Sequence, residues 1–373
     1  MRSSRLVVAL LALAAMPASA QSPAHAPTYA IAGESRAYAS AIDSGRRFIL
    51  DTMRVLGAPG ASVTVVKDGA IVWSEGFGWA DVEQRVAVTP LTRFRIGSVS
   101  KSLTSLGLGL LIQDGKIDLD APVQRYVPSF PVKSAPITVR ELAGHLAGVR
   151  HYRGAEMFNQ RHYATVTEAL AIFRDDTLLF RPGTRFSYSS YGFNLLSAAM
   201  ERAAGEPFVS YMTRRVFEPL GMRHTVAEYP DSLIPERAHF YTPSDSGNGV
   251  VNAPYVDNSY KWAGGGFLST TEDLAHAGQL LLDGALLKPE TLRLLWTSQR
   301  TTAGTETGYG MGWFVDHDAA GRRRVFHSGG SVGGTAYLLI YPDQRLVLAL
   351  LVNSDRTFVA RAPRLAEPFL DAR

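Results

Sequence analysis

The 373-residue chain contains no cysteine. That absence excludes disulfides, thiolate catalysis and any Cys-ligated metal site. Lysine is nearly as scarce, with six residues at positions 67, 101, 116, 133, 261 and 288. The formal net charge is +4, or +2 without the two arginines Arg2 and Arg5. So weak a balance gives no reason to expect a nucleic acid or an anionic membrane as partner. The nine histidines make no H-E-x-x-H or H-x-H-x-D set, so no metal is expected. No phosphate-cradling P-loop and no complete G-x-G-x-x-G is present either, and no cofactor is expected. Long apolar runs are missing except at the start of the chain.

That one run, Leu6 to Ala15, follows Arg2 and Arg5 and precedes Ala18-Ser19-Ala20. A basic segment, a short apolar segment and a small-x-small site together predict a cleaved signal peptide over residues 1–20. The run is too short for a membrane span, which takes roughly 20 residues. The expected location is therefore periplasmic or extracellular, with Gln21 as the mature N-terminus. Residues 21–36, rich in Ala, Pro and Ser and without periodicity, are expected to form a mobile leader.

Beyond the leader, Ala61 to Val66 and Ile71 to Gly76 flank a Lys67-Asp68-Gly69 turn signal, which predicts a β-hairpin. From Ser98 the pattern turns helical. Val99, Leu103, Leu106 and Leu110 share one face, while Ser98, Lys101 and Ser105 share another. Gly107 and Gly109 each cost roughly 1 kcal/mol of helix propensity, which implies a buried helix in close contact with its neighbours. Further helices are expected over 139–146, 166–174, 191–204, 271–282 and 289–295, and strands over 310–315, 324–327, 336–341 and 346–352. Asp316 to Asp318 and Arg322 to Arg324 read as loops. Strands at both ends with helices between predict an α+β fold. One catalytic domain, 37–373, would hold an antiparallel sheet lobe (37–97 and 300–373) flanked by helices, with a mainly helical lobe (98–299) inserted.

Against the scarcity of lysine, one position stands out. Only Lys101 lies three residues after a serine, in the stretch FRIGSVSK, and positions i and i+3 of a helix are neighbours. A desolvated lysine can take a serine's proton, and Ser98 sits at a helix start, where free N–H groups favour an oxyanion. The plainer alternative is an N-cap serine with a surface lysine. A second segment, Phe186 to Gly192 (FSYSSYG), offers Tyr188 as a proton carrier whose pKa nearby cations would lower from about 10. Its alternative is Ser189 or Ser190 as an N-cap with Tyr188 packed. A third, His327-Ser328-Gly329-Gly330, ends a strand along which a substrate can lie, the Gly330 N–H completing an oxyanion hole with Ser98. Its alternative is a strand-to-turn junction. His145 and His151 flank a turn and read as structural, although the loop carrying His151 borders the expected pocket. Ser331 fits the G-x-S-x-G elbow, but that elbow needs a following helix and a later histidine, and the chain has neither.

The three ordered segments, FRIGSVSK, YSS and HSGG, resemble the serine β-lactamase and D-amino-acid peptidase superfamily, in particular its class C-like branch. SVSKSLT and HLAGVRHY (His145 to Tyr152) resemble the mitochondrial serine β-lactamase-like proteins and their bacterial relatives. The resemblance implies a β-lactamase/transpeptidase-like fold, with Ser98 as the acylated serine, Lys101 its partner, Tyr188 a proton carrier and His327 the first position of the K/H-T/S-G strand motif. It also implies substrate contacts from Ser190, Ser328, Gly329 and Gly330. Two departures are visible: Ser190 stands where class C enzymes carry asparagine, and His327 where they carry lysine. The expected function is an exported serine hydrolase cleaving amide or ester bonds of a small-molecule or peptide substrate, with at most weak β-lactam hydrolysis. The alternatives are a dedicated class C-like β-lactamase, a penicillin-binding D-Ala carboxypeptidase, and a catalytically silent binding or scaffold protein on the same fold. No feature of the sequence bears on oligomeric state.

Overall fold

A computed structural model describes residues 28–30, 35–245, 249–355 and 361–371. The expected signal peptide lies outside the described residues, as does most of the expected leader. Thr28–Ala30 departs from the leader expectation, since it forms a strand, β1, paired antiparallel with Glu75 to Phe77.

The frame is an eight-stranded antiparallel sheet. Its strands are β1, β2 (Gly60–Lys67), β3 (Ala70–Asp81), β4 (Phe314–His317), β5 (Arg323–Ser331), β6 (Gly334–Tyr341) and β7 (Leu346–Val352). They lie in the order β1–β3–β2–β7–β6–β5–β4, with the short Val86–Ala87 strand pairing off β3. The expected hairpin is β2–β3, with Val65 opposite Trp73 and a bulge after Val65.

β7 explains how the sheet is held. Its sequence, LVLALLV, is apolar at every position because both faces are covered. Val347, Ala349 and Leu351 enter one core, and Leu346, Leu348, Leu350 and Val352 enter the other. The second core is closed by α1 (Ala39–Leu56) and the C-terminal helix Pro363–Asp371. The first is closed by helix Thr271–Leu282 and by the helical region between the two ends of the chain.

At the centre of that region lies α2 (Val99–Gln113), buried along nearly its whole length, the polar Ser100, Lys101, Ser102, Thr104 and Ser105 included. A Cβ on Gly107 would sit 2.8 Å from Met212 Sδ, so the glycine allows the close contact that its helix cost implied. A small sheet of Phe94–Arg95, Phe267–Ser269 and Val226–Ala227 fixes the chain just before α2.

Four local expectations shift. Gly310 to Trp313 is not a strand; β4 begins at Phe314, after Gly312 at φ +81°. Asp316 and His317, expected in a loop, belong to β4, and β5 begins at Arg323, one residue before the expected strand start at Arg324. The Arg324 guanidinium meets Asp316 across the two strands at 2.5 Å, a neutralising partner that the linear arginine run conceals. The helix expected over 139–146 ends at Ala143, because His145 adopts φ +59°. The one expected over 166–174 is a single turn, Val166–Ala169, followed by a 3-10 turn.

Candidate active site

Ser98 precedes α2 with helical backbone angles and makes no capping bond with its side chain. Its Oγ lies 2.9 Å from Lys101 Nζ instead. Lys101 is 0% exposed, which removes the alternative of a surface lysine beside an N-cap serine. Its Nζ has two further partners, Ser190 Oγ at 3.0 Å and the Gly264 carbonyl at 2.6 Å. No carboxylate among the described residues offsets the burial. Desolvation, helped by the charge of Lys261, holds the Lys101 ammonium well below the ordinary lysine range. A neutral amine has two N–H groups and one lone pair. A carbonyl can only accept, so one N–H goes to Gly264, the other suits Ser190, and the lone pair is left for Ser98.

Ser190, expected as a substrate contact, is also a partner of Lys101. It is the first residue of α3 (Ser190–Ala204), is 2% exposed, and its hydroxyl is engaged by Lys101.

Tyr188 lies just before α3, its ring 4.8 Å from Lys101 Nζ. The expectation of a lowered pKa is overturned. Burial pushes the phenol well up, against a weaker opposing effect from a hydrogen bond with Ser98. The loop before α3 is held by the two histidines read as structural. The Ser187 N–H donates to the His145 carbonyl at 2.9 Å, and the Ser189 N–H to His145 Nδ1 at 3.2 Å. Next in line, the Ser190 N–H donates to His151 Nδ1 at 3.1 Å. Tyr188 is thus clamped on both sides, with the His145 ring 4.3 Å from its own. The HLAGVRHY stretch was the available signal for this clamp, although the roles of its two histidines in it were not legible.

On β5, His327 is 1% exposed. The Ser328 carbonyl, an acceptor only, lies 2.6 Å from Nδ1, so Nδ1 carries the proton and Nε2 accepts from the Tyr309 hydroxyl at 3.0 Å. Burial above all, with any proton on Lys101 acting the same way, lowers its pKa to about 3, and the imidazole is neutral at physiological pH. Its hydrogen bond goes to Tyr309, a partner that carried no sequence signal. Gly329 is required by packing, since a Cβ there would fall 2.0 Å from the Ile96 carbonyl. Gly330 is exposed and lies against Gly97; a Cβ on Gly97, at φ +47°, would meet Gly330 N at 2.8 Å. β4 pairs with β5 only as far as Phe326. The outer edge from His327 to Ser331 is thus unpaired among the described residues, beside the start of α2. Ser331, the rejected elbow serine, ends this strand with β6 after it and no helix.

This arrangement can be set beside known proteins. The family model described as Beta-lactamase matches residues 46–369. Human mitochondrial serine beta-lactamase-like protein LACTB is 35% identical over 83% of this chain and 74% of its own length. Among solved structures, an octameric penicillin-binding protein homologue from Pyrococcus abyssi superposes with a TM-score of 0.77 at 28% identity, covering 88% of this chain and 77% of the other. A D-stereospecific amidohydrolase from Streptomyces does so with a TM-score of 0.74 at 25% identity, covering 87% and 98%. The matched span includes α2, α3 and β5, and the chain belongs to the Beta-lactamase family.

Proposed function

We propose that the chain is an exported serine hydrolase that cleaves amide or ester bonds through an acyl-enzyme on Ser98. The observation that carries this reading is the setting of Lys101: fully buried, without a carboxylate, and 2.9 Å from Ser98 Oγ. Its lone pair takes the Ser98 proton as Oγ attacks the substrate carbonyl. The developing oxyanion is received by the Ser98 and Gly330 N–H groups at the helix start and strand edge. As the tetrahedral intermediate collapses, the leaving amine or alcohol takes a proton back from Lys101, relayed by the neutral Tyr188 hydroxyl. Water then repeats the sequence on the acyl group and frees Ser98. The residues put forward are Ser98 as nucleophile, Lys101 as base and Tyr188 as relay. His327, neutral and tied to Tyr309, shapes the wall rather than binding charge. The likeness to an amidohydrolase supports amide or ester substrates. With Ser190 holding Lys101 and no lysine on β5, β-lactam hydrolysis is expected to be weak.

The test is covalent labelling of the purified chain with a neutral fluorophosphonate, read by intact mass and peptide mapping. One adduct on Ser98, absent in Ser98→Ala, is expected, together with loss of ester turnover in that variant. Hydrolysis retained by Ser98→Ala would overturn the assignment.

A further inference from the structure

Lys261 is a second buried lysine beside the site, and the acyl-serine chemistry has no use for it. It ends the 3-10 turn Asn258–Lys261, three residues before the Gly264 carbonyl that holds Lys101, and is 4% exposed. A buried ammonium ordinarily has a carboxylate or several carbonyls around it. No hydrogen bond or ion pair joins the Lys261 side chain to another described residue. Its Nζ lies over the rings of Tyr260 at 5.2 Å and Tyr152 at 5.7 Å. The acid whose charge acts on it, Glu228, is already engaged by Arg95 and by Asn258 Nδ2.

The Tyr152 ring that faces Lys261 also stacks on His151 at 4.3 Å, and His151 borders Tyr188 at 5.7 Å. Lys261 thus adjoins the run of rings that leads through Tyr152 and His151 to Tyr188, and its charge acts on both Lys101 and His151. On β5 the two arginines lie at the far end, Arg324 paired with Asp316, and His327, beside the cleft, is neutral.

We propose that Lys261 is the specificity-determining cation of this cleft and takes a carboxylate carried by the substrate. The inference rests on the cleft being the substrate site of the proposed hydrolase. An arriving carboxylate gives the ammonium the partner it lacks, while the two tyrosine faces keep it oriented meanwhile. The charged and titratable groups acting on Lys261 are Arg95, Glu228, Lys101 and His151. Burial and Arg95, opposed by Glu228, lower its own pKa to about 7. A preference for anions should therefore weaken as pH rises through that value.

Binding is measured on the Ser98→Ala chain, so that the answer does not depend on turnover. Two matched pairs are titrated: glutaric acid monoanilide against valeranilide, and N-butyrylglycine against its methylamide. At pH 6 one carboxylated member is expected to bind roughly 10- to 100-fold more tightly than its neutral match, the range of a charge-assisted hydrogen bond. Lys261→Met should bring that ratio close to one, and Lys261→Arg should keep it and carry it unchanged to pH 8.5. A ratio that survives Lys261→Met, or equal binding within both pairs, overturns the proposal. Failure of the fluorophosphonate to label Ser98 in the wild-type chain would strike the hydrolase reading instead, and these binding ratios would still decide the role of Lys261.

Discussion

Arg95 and Lys101 are two buried basic side chains on either side of Ser98, and the fold treats them in opposite ways. Arg95, 7% exposed, is met by Glu228 through Nε at 2.8 Å and Nη2 at 2.9 Å, and it also donates to the Val332 carbonyl at 2.7 Å. Lys101, 0% exposed, is offered only neutral oxygens. A guanidinium cannot shed its proton inside a protein, so burying it requires a counter-charge. An amine can shed its proton, and withholding the counter-charge is what releases a lone pair toward Ser98. The same burial thus makes a rigid tie in one place and a base in the other.

The sharpest way to break this contrast is to give Lys101 what Arg95 has. Ser190→Asp places a carboxylate next to Nζ, raises the lysine pKa and fills its lone pair with a proton. Esterase kcat/KM at pH 7 should fall by about 10²–10⁴, the usual contribution of a general base. Activity should recover partially as pH rises, because the variant lysine deprotonates only there. A pH-rate profile unchanged from wild type would show that Lys101 is not the base.

The reverse experiment takes the counter-charge from Arg95. Glu228→Gln leaves a buried guanidinium without its anion and should cost about 3–5 kcal/mol in urea unfolding. Loss of less than about 1 kcal/mol would mean that water or Asn258 satisfies Arg95 instead.

The smallest effect at pH 7 belongs to a third buried group, His327, which avoids the problem by remaining neutral. His327→Gln should cost only about 1 kcal/mol there, the worth of a hydrogen bond. The difference appears in acid. With a folded pKa of about 3 against 6.5 when unfolded, the unfolded chain binds more protons between those values. This histidine's contribution is therefore complete above about pH 6.5 and is lost progressively as pH falls toward 3. Stability of His327→Gln should decline less over that interval, as measured by unfolding at several pH values; parallel curves would assign the acid limb to other groups.

The parts of this contrast that sequence made visible are the local ones. Ser98 and Lys101 meet because a helix brings i and i+3 together, and β2–β3 close because Lys67-Asp68-Gly69 is a turn. The α+β architecture followed from strands at both chain ends. What stayed hidden depends on contacts distant in the chain: the Gly264 carbonyl on Lys101, Glu228 on Arg95 and Tyr309 on His327. Tyr188 shows the cost of that blindness. Nearby cations pointed to a lowered phenol pKa, but burial between His145 and the Lys101 side chain dominates and raises it. At Arg322 to Arg324, a run of like charge looked solvated until the strand opposite supplied Asp316.

The position of β7 between β2 and β6 has a consequence for how the protein is made. β2 and β3 leave the ribosome before the whole helical region, yet the strand that completes β2 follows only after that region and β4 to β6. Until it arrives, β2 presents an open, valine-rich edge, the kind of surface that recruits strands from other chains. Such distant pairing makes folding slow, since a long loop has to close before any contact rewards it. The nucleophile helix and the strand edge beside it come together only at that late stage. A nascent chain therefore carries Ser98 and Lys101 without an assembled site until those later strands have been made, and depends over that interval on being kept from its neighbours.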